Sequence, residues 1–328
     1  MSAPLLEVAD LTVSFRYRGQ SVSPVERVSF SVAPGESVGI VGESGSGKTT
    51  LGVALMRLTP PARDLAISGR IVFEGRDVLA MSPSELSAYR GGGVAMIPQD
   101  PMTSLNPTLT IGRQVGEGIA LDKPASEIRT AAIDALRAVQ LPDPEARLSA
   151  YPHHLSGGMR QRAVGAVGIA RAPKLLIADE PTTALDVTVQ RQFLDMLADL
   201  RRAHGMALLL ISHDLAVVSR LATRIIVMYG GEIVEDGPAR DILDRPHHWY
   251  TAALVASARG IAGAGKRLPT IPGHPPSLAD RPAGCRFAPR CSNAQARCAV
   301  APPLEAEGAR RLRCWFPVDD ASAGKAPA

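Results

Sequence analysis

No cysteine occurs before residue 285 of this 328-residue chain. All four thiols therefore mark off the C-terminal part. Long apolar runs are also missing. None approaches the length needed to span a bilayer, and Ala207-Leu208-Leu209-Leu210-Ile211 suits a buried parallel strand instead. The start, Met1-Ser2-Ala3-Pro4-Leu5-Leu6-Glu7, lacks the basic region and apolar core of a signal peptide. No Lys/Arg block forms a nucleic-acid stripe. The 36 basic and 32 acidic residues leave a formal charge of only +4, which argues against nucleic acid as a partner. Aromatic residues are scarce at 4%, yet apolar residues at 45% support a real core. These absences predict a soluble, cytoplasmic chain whose membrane role, if it has one, is indirect. The length suits one large domain or two moderate ones.

Strand-like alternation runs through 5–15 and 27–33 (Val28, Phe30, Val32), as in a half-buried antiparallel layer. A short apolar strand from Glu36 to Val41 enters Gly42, and a helix is expected from Lys48 to about Arg57. Residues 69–74 and Val94 to Pro98 read as strands. Ser82-Pro83-Ser84-Glu85 is a capping box with Pro at the first helical position. From about 100 to 170 the pattern turns helical, with Ile128, Ala132, Leu136 and Val139 at helical spacing. Strands return at Leu175–Ala178, Ala207–Ile211 and Ile225–Tyr229, with a helix over 187–203. Tyr229-Gly230-Gly231-Glu232 reads as a hairpin turn. After Pro246 the chain is rich in Pro and Gly and loses periodicity. A boundary is placed near 245, between parts 1–245 and 246–328, and disorder is expected after about 320. Alternating strands and helices predict an α/β fold with a largely parallel sheet and an added antiparallel layer.

Gly42-Glu43-Ser44-Gly45-Ser46-Gly47-Lys48-Thr49 matches the phosphate-loop pattern G-x-x-x-x-G-K-[ST]. Its glycines let the backbone wrap a phosphate, and its N–H groups form an anion nest. Lys48 is expected on the β- and γ-phosphates, Thr49 on Mg²⁺, and Thr50 near the α-phosphate. Leu175-Leu176-Ile177-Ala178-Asp179-Glu180 is an apolar strand ending in two carboxylates. Asp179 is expected in the Mg²⁺ shell and Glu180 as general base for the attacking water. Gln99 and His213 end other strands and are candidates to sense Mg²⁺, water and the γ-phosphate. A Gln at the surface and a structural His are the plainer readings of each residue taken alone. Phe15 is a candidate to stack on adenine, in competition with Tyr17 and with simple core burial. Asp186 reads either as a loop residue near the site or as a helix N-cap.

A second Gly-rich stretch, Leu155-Ser156-Gly157-Gly158-Met159-Arg160-Gln161-Arg162, opens a helix expected to run to Arg171. Ser156 offers a hydroxyl, and Gly157 and Gly158 offer unhindered N–H groups at the positive end of that helix. Two phosphate cradles in one chain imply a second chain that brings them together.

This ordered set resembles the ATP-binding cassette of ABC transporters over roughly residues 5–245. The resemblance implies a RecA-like P-loop core with an antiparallel β layer and a helical insertion. It also implies a nucleotide sandwich. ATP and Mg²⁺ held at Gly42, Ser44, Gly45, Ser46, Gly47, Lys48, Thr49 and Thr50 would be closed over by Ser156, Gly157, Gly158 and Gln161 of the other subunit, with Asp186 in the dimer loop. Ile97-Pro98-Gln99-Asp100-Pro101-Met102-Thr103-Ser104-Leu105-Asn106-Pro107 and Tyr151-Pro152-His153-His154 resemble the ATPases of dipeptide, oligopeptide and nickel importers. His154 departs from the Gln or Glu of many relatives, and Trp249 stands where a Pro is usual. Ile271-Pro272-Gly273 and Gly284–Cys291 resemble the peptide-importer C-terminal extension, which favours peptide over nickel. The partners implied are a homologous second ATPase, two membrane permeases and, indirectly, an external substrate-binding protein, at the cytoplasmic face of the membrane. DNA-repair and ribosome-associated relatives fit poorly. The insertion has no sustained heptads, and only one cassette is present.

Cys285, Cys291, Cys298 and Cys314 are separated by five, six and fifteen residues. Disulfides do not suit a cytoplasmic chain. The short spacing of paired zinc cysteines is absent. Spacing alone leaves a metal centre and four reduced thiols equally open, and four thiolates also suit a [4Fe–4S] cluster. The resemblance to extension-bearing importer ATPases favours the cluster over zinc. Arg286, Arg290, Arg297 and Arg313 are expected to offset thiolate charge and lower the thiol pKa values.

Overall fold

The computed structural model describes residues 3–17, 19–59, 65–119, 123–183, 185–259 and 270–318. The tail expected to be disordered after about 320 lies outside the described residues, as does Ala184.

In chain order the elements begin with β1 (Leu6–Tyr17), β2 (Gln20–Val32), β3 (Ser37–Val41), α1 (Lys48–Leu55), β4 (Leu65–Phe73), β5 (Arg76–Asp77), α2 (Pro83–Ala88) and β6 (Val94–Ile97). A helical stretch follows: α3 (Pro101–Ser104), α4 (Ile111–Gly118), α5 (Ala125–Ala138), α6 (Pro144–Arg147) and α7 (Gly157–Ile169). Then come β7 (Leu175–Asp179), α8 (Val187–His204), β8 (Ala207–Ser212), α9 (Leu215–Leu221), β9 (Arg224–Tyr229), β10 (Glu232–Pro238), α10 (Ala239–Asp244) and α11 (Trp249–Arg259). Strands β11 (Glu305–Glu307) and β12 (Arg310–Leu312) close the described chain.

Two sheets result. A four-stranded antiparallel sheet has the order β2-β1-β4-β5, and an eight-stranded mixed sheet has the order β11-β12-β10-β9-β3-β8-β7-β6. The run β9-β3-β8-β7-β6 is parallel throughout. Its strands are apolar on both faces, as a sheet covered on both sides requires. Along β8 the side chains alternate. Ala207, Leu209 and Ile211 join a core with the antiparallel sheet and α1, while Leu208 and Leu210 join a core with the helices. Gly39 of β3 lies so close to α9 that a Cβ there would meet Val218 Cγ1 at 2.0 Å. Helices α4, α5 and α7 pack on one another, and α5 buries Ala132 and Leu136 of the expected apolar face.

The expected capping box is formed. Glu85 N donates to Ser82 Oγ, and Ser82 N donates to Glu85 Oε2 at 2.8 Å. The hairpin between β9 and β10 also stands where Gly230 and Gly231 place it, both at positive φ. Beyond residue 245 the chain departs from its sequence pattern. Helix α11 buries Tyr250, Thr251, Leu254 and Val255. Strand β12 pairs with β10, Glu235 opposite Leu312, so the extension adds strands to the large sheet. Among the described residues, no helix is long and apolar enough to cross a membrane.

Candidate functional site

Four parallel strands end on one side of the sheet, the side on which open α/β sheets place their ligands. Gly42–Gly47 follows β3, Gln99 follows β6, Asp179 and Glu180 end β7, and His213 follows β8. The loop after β3 is shaped by its glycines. Gly47 has φ +99°, and a Cβ there would meet Pro24 O at 2.1 Å; a Cβ on Gly42 would meet Met228 O at 2.2 Å. No other residue fits either place.

Lys48 is buried, and its Nζ donates to Gly42 O at 2.7 Å and Glu43 O at 3.0 Å. Burial pushes its ammonium pKa down, while the nearby carboxylates of Glu180, Asp179 and Glu43 pull it up. Asp179 is 1% exposed. Burial raises its pKa, and a hydrogen bond from the Thr49 hydroxyl opposes the rise. Its Oδ1 has no hydrogen-bond partner among the described residues. An unpaired buried carboxylate oxygen beside a hydroxyl is the donor set that a hard divalent cation completes, with phosphate and water supplying the remaining ligands.

Glu180 sits at φ 44°, a left-handed conformation rare for a non-glycine residue. Its carboxylate collects the other strand-tip groups. Gln99 Nε2 donates to Oε2 at 3.0 Å, Thr183 Oγ1 donates to Oε2 at 3.1 Å, and His213 Nδ1 lies 3.1 Å from Oε1. Gln99, Glu180 and His213 are thus brought together. Thr183 is a member that the sequence reading missed, although its position three residues after a strand-tip acid was a usable signal.

A cleft of about 240 Å³ joins these groups to the loop. It is lined by Phe15, Ser44, Gly45, Gly47, Lys48, Thr49, Thr50, Gln99 and Glu180. Phe15, not the half-exposed Tyr17, is the aromatic on this wall. Pro24 and Leu278 line it too, and neither was anticipated. Leu278 comes from the C-terminal extension.

The Gly-rich stretch of α7 is not part of that wall. Ser156 caps the helix, its Oγ accepting from Met159 N at 3.3 Å. Gly157 has nothing within 4 Å of where a Cβ would stand, whereas a Cβ on Gly158 would meet Val189 Cγ1 at 2.7 Å. Gln161 is buried, and its Nε2 has no hydrogen-bond partner among the described residues. Asp186 caps α8 and accepts from Thr188 N and Val189 N, both at 3.0 Å.

Cys285, Cys291, Cys298 and Cys314 line one enclosed cavity with His248, Trp249, Phe287 and Trp315. Its free volume is about 10 Å³. No group of three or more His, Cys, Asp or Glu among the described residues is arranged to hold a metal ion. At Cys285, Cys291 and Cys314 the expected lowering of the thiol pKa values is reversed. Burial pushes Cys285 up, Cys291 to about 11 and Cys314 to about 12. The arginines named for that role are engaged elsewhere. Arg286 pairs with Glu26 and Glu232, and Arg290 pairs with Glu43. Arg313 donates to the carbonyls of Ile233 and Pro302, and Arg297 stacks on Trp315 at 3.8 Å.

Residues 25–183 match the family described as ABC transporter, and residues 234–298 match the oligopeptide/dipeptide transporter C-terminal region. The chain is 47% identical over 316 residues to a putative peptide import ATP-binding protein of Brucella melitensis, covering 95% of each. It is 47% identical to the dipeptide transport ATP-binding protein DppD of Escherichia coli, covering 97% of this chain and 98% of that one. It is 44% identical to the oligopeptide transport ATP-binding protein OppD of Salmonella typhimurium, covering 96% and 95%. A solved dimer of the ATP-binding cassette MJ0796 bound to ADP and Pi superposes with a TM-score of 0.64 at 25% identity, over 72% of this chain and 99% of that one. The chain belongs to the peptide-import family of ABC transporter ATP-binding proteins.

Proposed function

We propose that this chain is the ATP-hydrolysing subunit of an importer of di- or oligopeptides. The observation that carries the reading is the Glu180 carboxylate, gathered with Gln99, Thr183 and His213 at the mouth of the Lys48–Thr49 cleft. The relatives named above are peptide import proteins over nearly the whole chain, which supports the cargo class.

The reaction is phosphoryl transfer to water, in which the protein positions groups and stabilises charge. Gly42, Ser44, Gly45, Ser46, Gly47, Lys48, Thr49 and Thr50 bind the phosphates, and Phe15 stacks on the base. Thr49, Asp179 and Gln99 would hold Mg²⁺, which supplies charge neutralisation at the phosphate oxygens when bound. Glu180 takes the proton of the attacking water. Gln99 fixes one oxygen of that carboxylate and His213 the other, so the base is aimed before substrate arrives. Ser156, Gly157, Gly158 and Gln161 serve the nucleotide of a second, homologous ATPase subunit, and Asp186 orders the loop beside the shared site.

Two membrane permeases dock on the helical side. A cleft of about 610 Å³, lined by Pro98, Ser104, Leu105, Asn106 and Gln114, suits an inserted permease segment, and Pro98 precedes Gln99 in the chain. In this reading the chain works at the cytoplasmic face of the membrane, on peptides delivered by an external binding protein. Nucleic acid is not a partner.

The four thiols hold a [4Fe–4S] cluster, with zinc as the alternative. Their convergence on one cavity walled by aromatics supports the reading. Loading must spread the thiols, because the free volume is small, and must release protons from groups that burial keeps protonated. Co-purification with the membrane subunits tests the whole. The complex is expected to show peptide-stimulated ATP hydrolysis, stoichiometric iron and sulfide, and a charge-transfer absorption band. Stimulation by nickel alone would overturn the cargo, and zinc without iron would overturn the cluster.

A further inference from the structure

Glu43 occupies a variable position of the phosphate loop, and its side chain turns away from the cleft into the C-terminal extension. There it meets Arg290, the residue before Cys291. Arg290 Nη1 donates to Glu43 Oε2 at 2.6 Å, and Nη2 donates to Oε1 at 3.0 Å. The remaining donors reach Tyr229 Oη at 3.2 Å, Pro272 O at 2.8 Å and Ile271 O at 3.4 Å. All five N–H groups of the fork therefore have an acceptor. The Arg290 side chain is 5% exposed. A paired, forked and buried guanidinium fixes geometry as well as charge.

Glu43 is held at its backbone too. Its N–H donates to Tyr250 Oη at 2.7 Å, and its carbonyl accepts from Lys48 Nζ at 3.0 Å and Ser46 N at 3.2 Å. Tyr229, Tyr250 and Phe287 pack as an aromatic cluster behind this contact, with ring centroids 4.6–5.4 Å apart. Phe287 also walls the four-thiol cavity. Leu278 of the same extension lines the nucleotide cleft.

We propose that Arg290 is a positioning residue for ATP binding: it clamps Glu43, and through the Glu43 carbonyl it sets Lys48, making the C-terminal extension part of the nucleotide site. The inference rests on the reading of the loop as the ATP site. A fastening that served stability alone would hold the extension on the cassette without altering nucleotide affinity.

The test is ATP affinity of the full chain, measured by calorimetry with Mg²⁺ in a Glu180→Gln background that prevents turnover. Arg290→Gln and Glu43→Gln are each expected to raise the Kd about tenfold. The double variant is expected to add little beyond either, because both remove one coupled contact. Arg290→Lys, which keeps the charge but loses the fork, falls between. Arg311→Gln breaks the pair between β12 and Asp236, with Nε 2.9 Å from Oδ2, and is the control for general loosening. The inference is overturned if Arg290→Gln and Glu43→Gln stay within about twofold of the parent, or if Arg311→Gln weakens ATP equally. Should Arg290→Gln fail to fold, Glu43→Gln decides, since Glu43 is the more exposed partner. Lys48→Ala tells the two readings apart. Retained binding there would overturn the ATP site itself, whereas lost binding there with unchanged Arg290 variants would overturn only the clamp.

Discussion

The two Gly-rich segments of this chain are built differently. The loop at Gly42–Thr49 is surrounded by its chemistry: Lys48 is buried, Asp179 has an unpaired oxygen beside Thr49, and Glu180 is contacted by three polar side chains. The segment at Ser156–Gly158 has only a helix N-terminus and its cap. It does not line the cleft that holds Lys48, Thr49 and Glu180. The difference teaches how the work is divided. In the proposed function, one segment supplies binding and chemistry, and the other supplies donors for the partner's nucleotide. The glycines differ as well. A Cβ on Gly42 or Gly47 would meet backbone, whereas one on Gly158 would meet only the Val189 side chain, and the places beside Gly45 and Gly157 are open among the described residues.

The largest effect falls on the first segment. Glu180→Gln removes the proton acceptor and keeps the shape, so hydrolysis by the assembled complex should fall by about 10²–10⁴-fold with ATP binding retained. Unchanged turnover would remove Glu180 from its role. The second effect separates the segments. A Cβ on Gly157 would meet nothing within 4 Å among the described residues, so the isolated Gly157→Val subunit should keep its fold and its ATP affinity. Hydrolysis by the complex should drop by roughly 10²-fold, because the branched side chain blocks approach of the partner's phosphates. If isolated-subunit ATP affinity falls as well, the two segments are not divided between chains.

Much of this division was legible in the sequence. Phosphate-loop and strand-tip patterns bind residue type to backbone geometry within a few positions. Gly42–Thr49, Asp179 and Glu180 could therefore be placed without knowing the tertiary fold, and so could the capping box at Ser82–Glu85. Gln99 and His213 needed one further step, the inference that parallel strands end on one side. The residues missed are those whose role depends on contacts distant in sequence. Arg290 meets Glu43 across 247 positions, and Tyr250 meets it across 207. Charge counting near the cysteines assigned Arg290 to the thiols, when its acceptor lay in another motif. Burial also decided the sign of the thiol pKa shifts, and no local pattern reports burial.

The third effect concerns what leans on the first segment. Cys291→Ser removes one thiol from the shared cavity. Iron and sulfide in the purified protein should fall to background. The thermal midpoint should drop by several degrees, a few kcal/mol of lost ligand stabilisation spread over a large chain. ATP affinity should weaken, because Arg290 is the adjacent residue. Introducing Gly157→Val into this variant should add no further loss of affinity. A loss confined to the second segment would reverse the comparison.

The smallest effect is a pH dependence near the same contact. His248 is fully buried, and burial lowers its pKa from 6.5 to about 3. Its Nδ1 accepts from Tyr250 N at 3.0 Å, which requires the neutral ring. Arg313 acts in two opposed ways, its backbone raising the pKa and its charge lowering it. In the unfolded chain the imidazole titrates near 6.5, so between pH 6.5 and about 3 the unfolded state binds more protons than the folded one. Stability from the neutral histidine is therefore fully present above pH 6.5 and is lost as pH falls, by no more than about 1.4 kcal/mol per unit. The thermal midpoint should decline between pH 6.5 and 5, and His248→Asn should lower the whole curve while flattening that slope. Tyr250 joins His248 to Glu43, so mild acid should weaken ATP binding at the first segment before the fold is lost. An equal slope in the His248→Asn variant would show that other carboxylates and histidines set the acid limit.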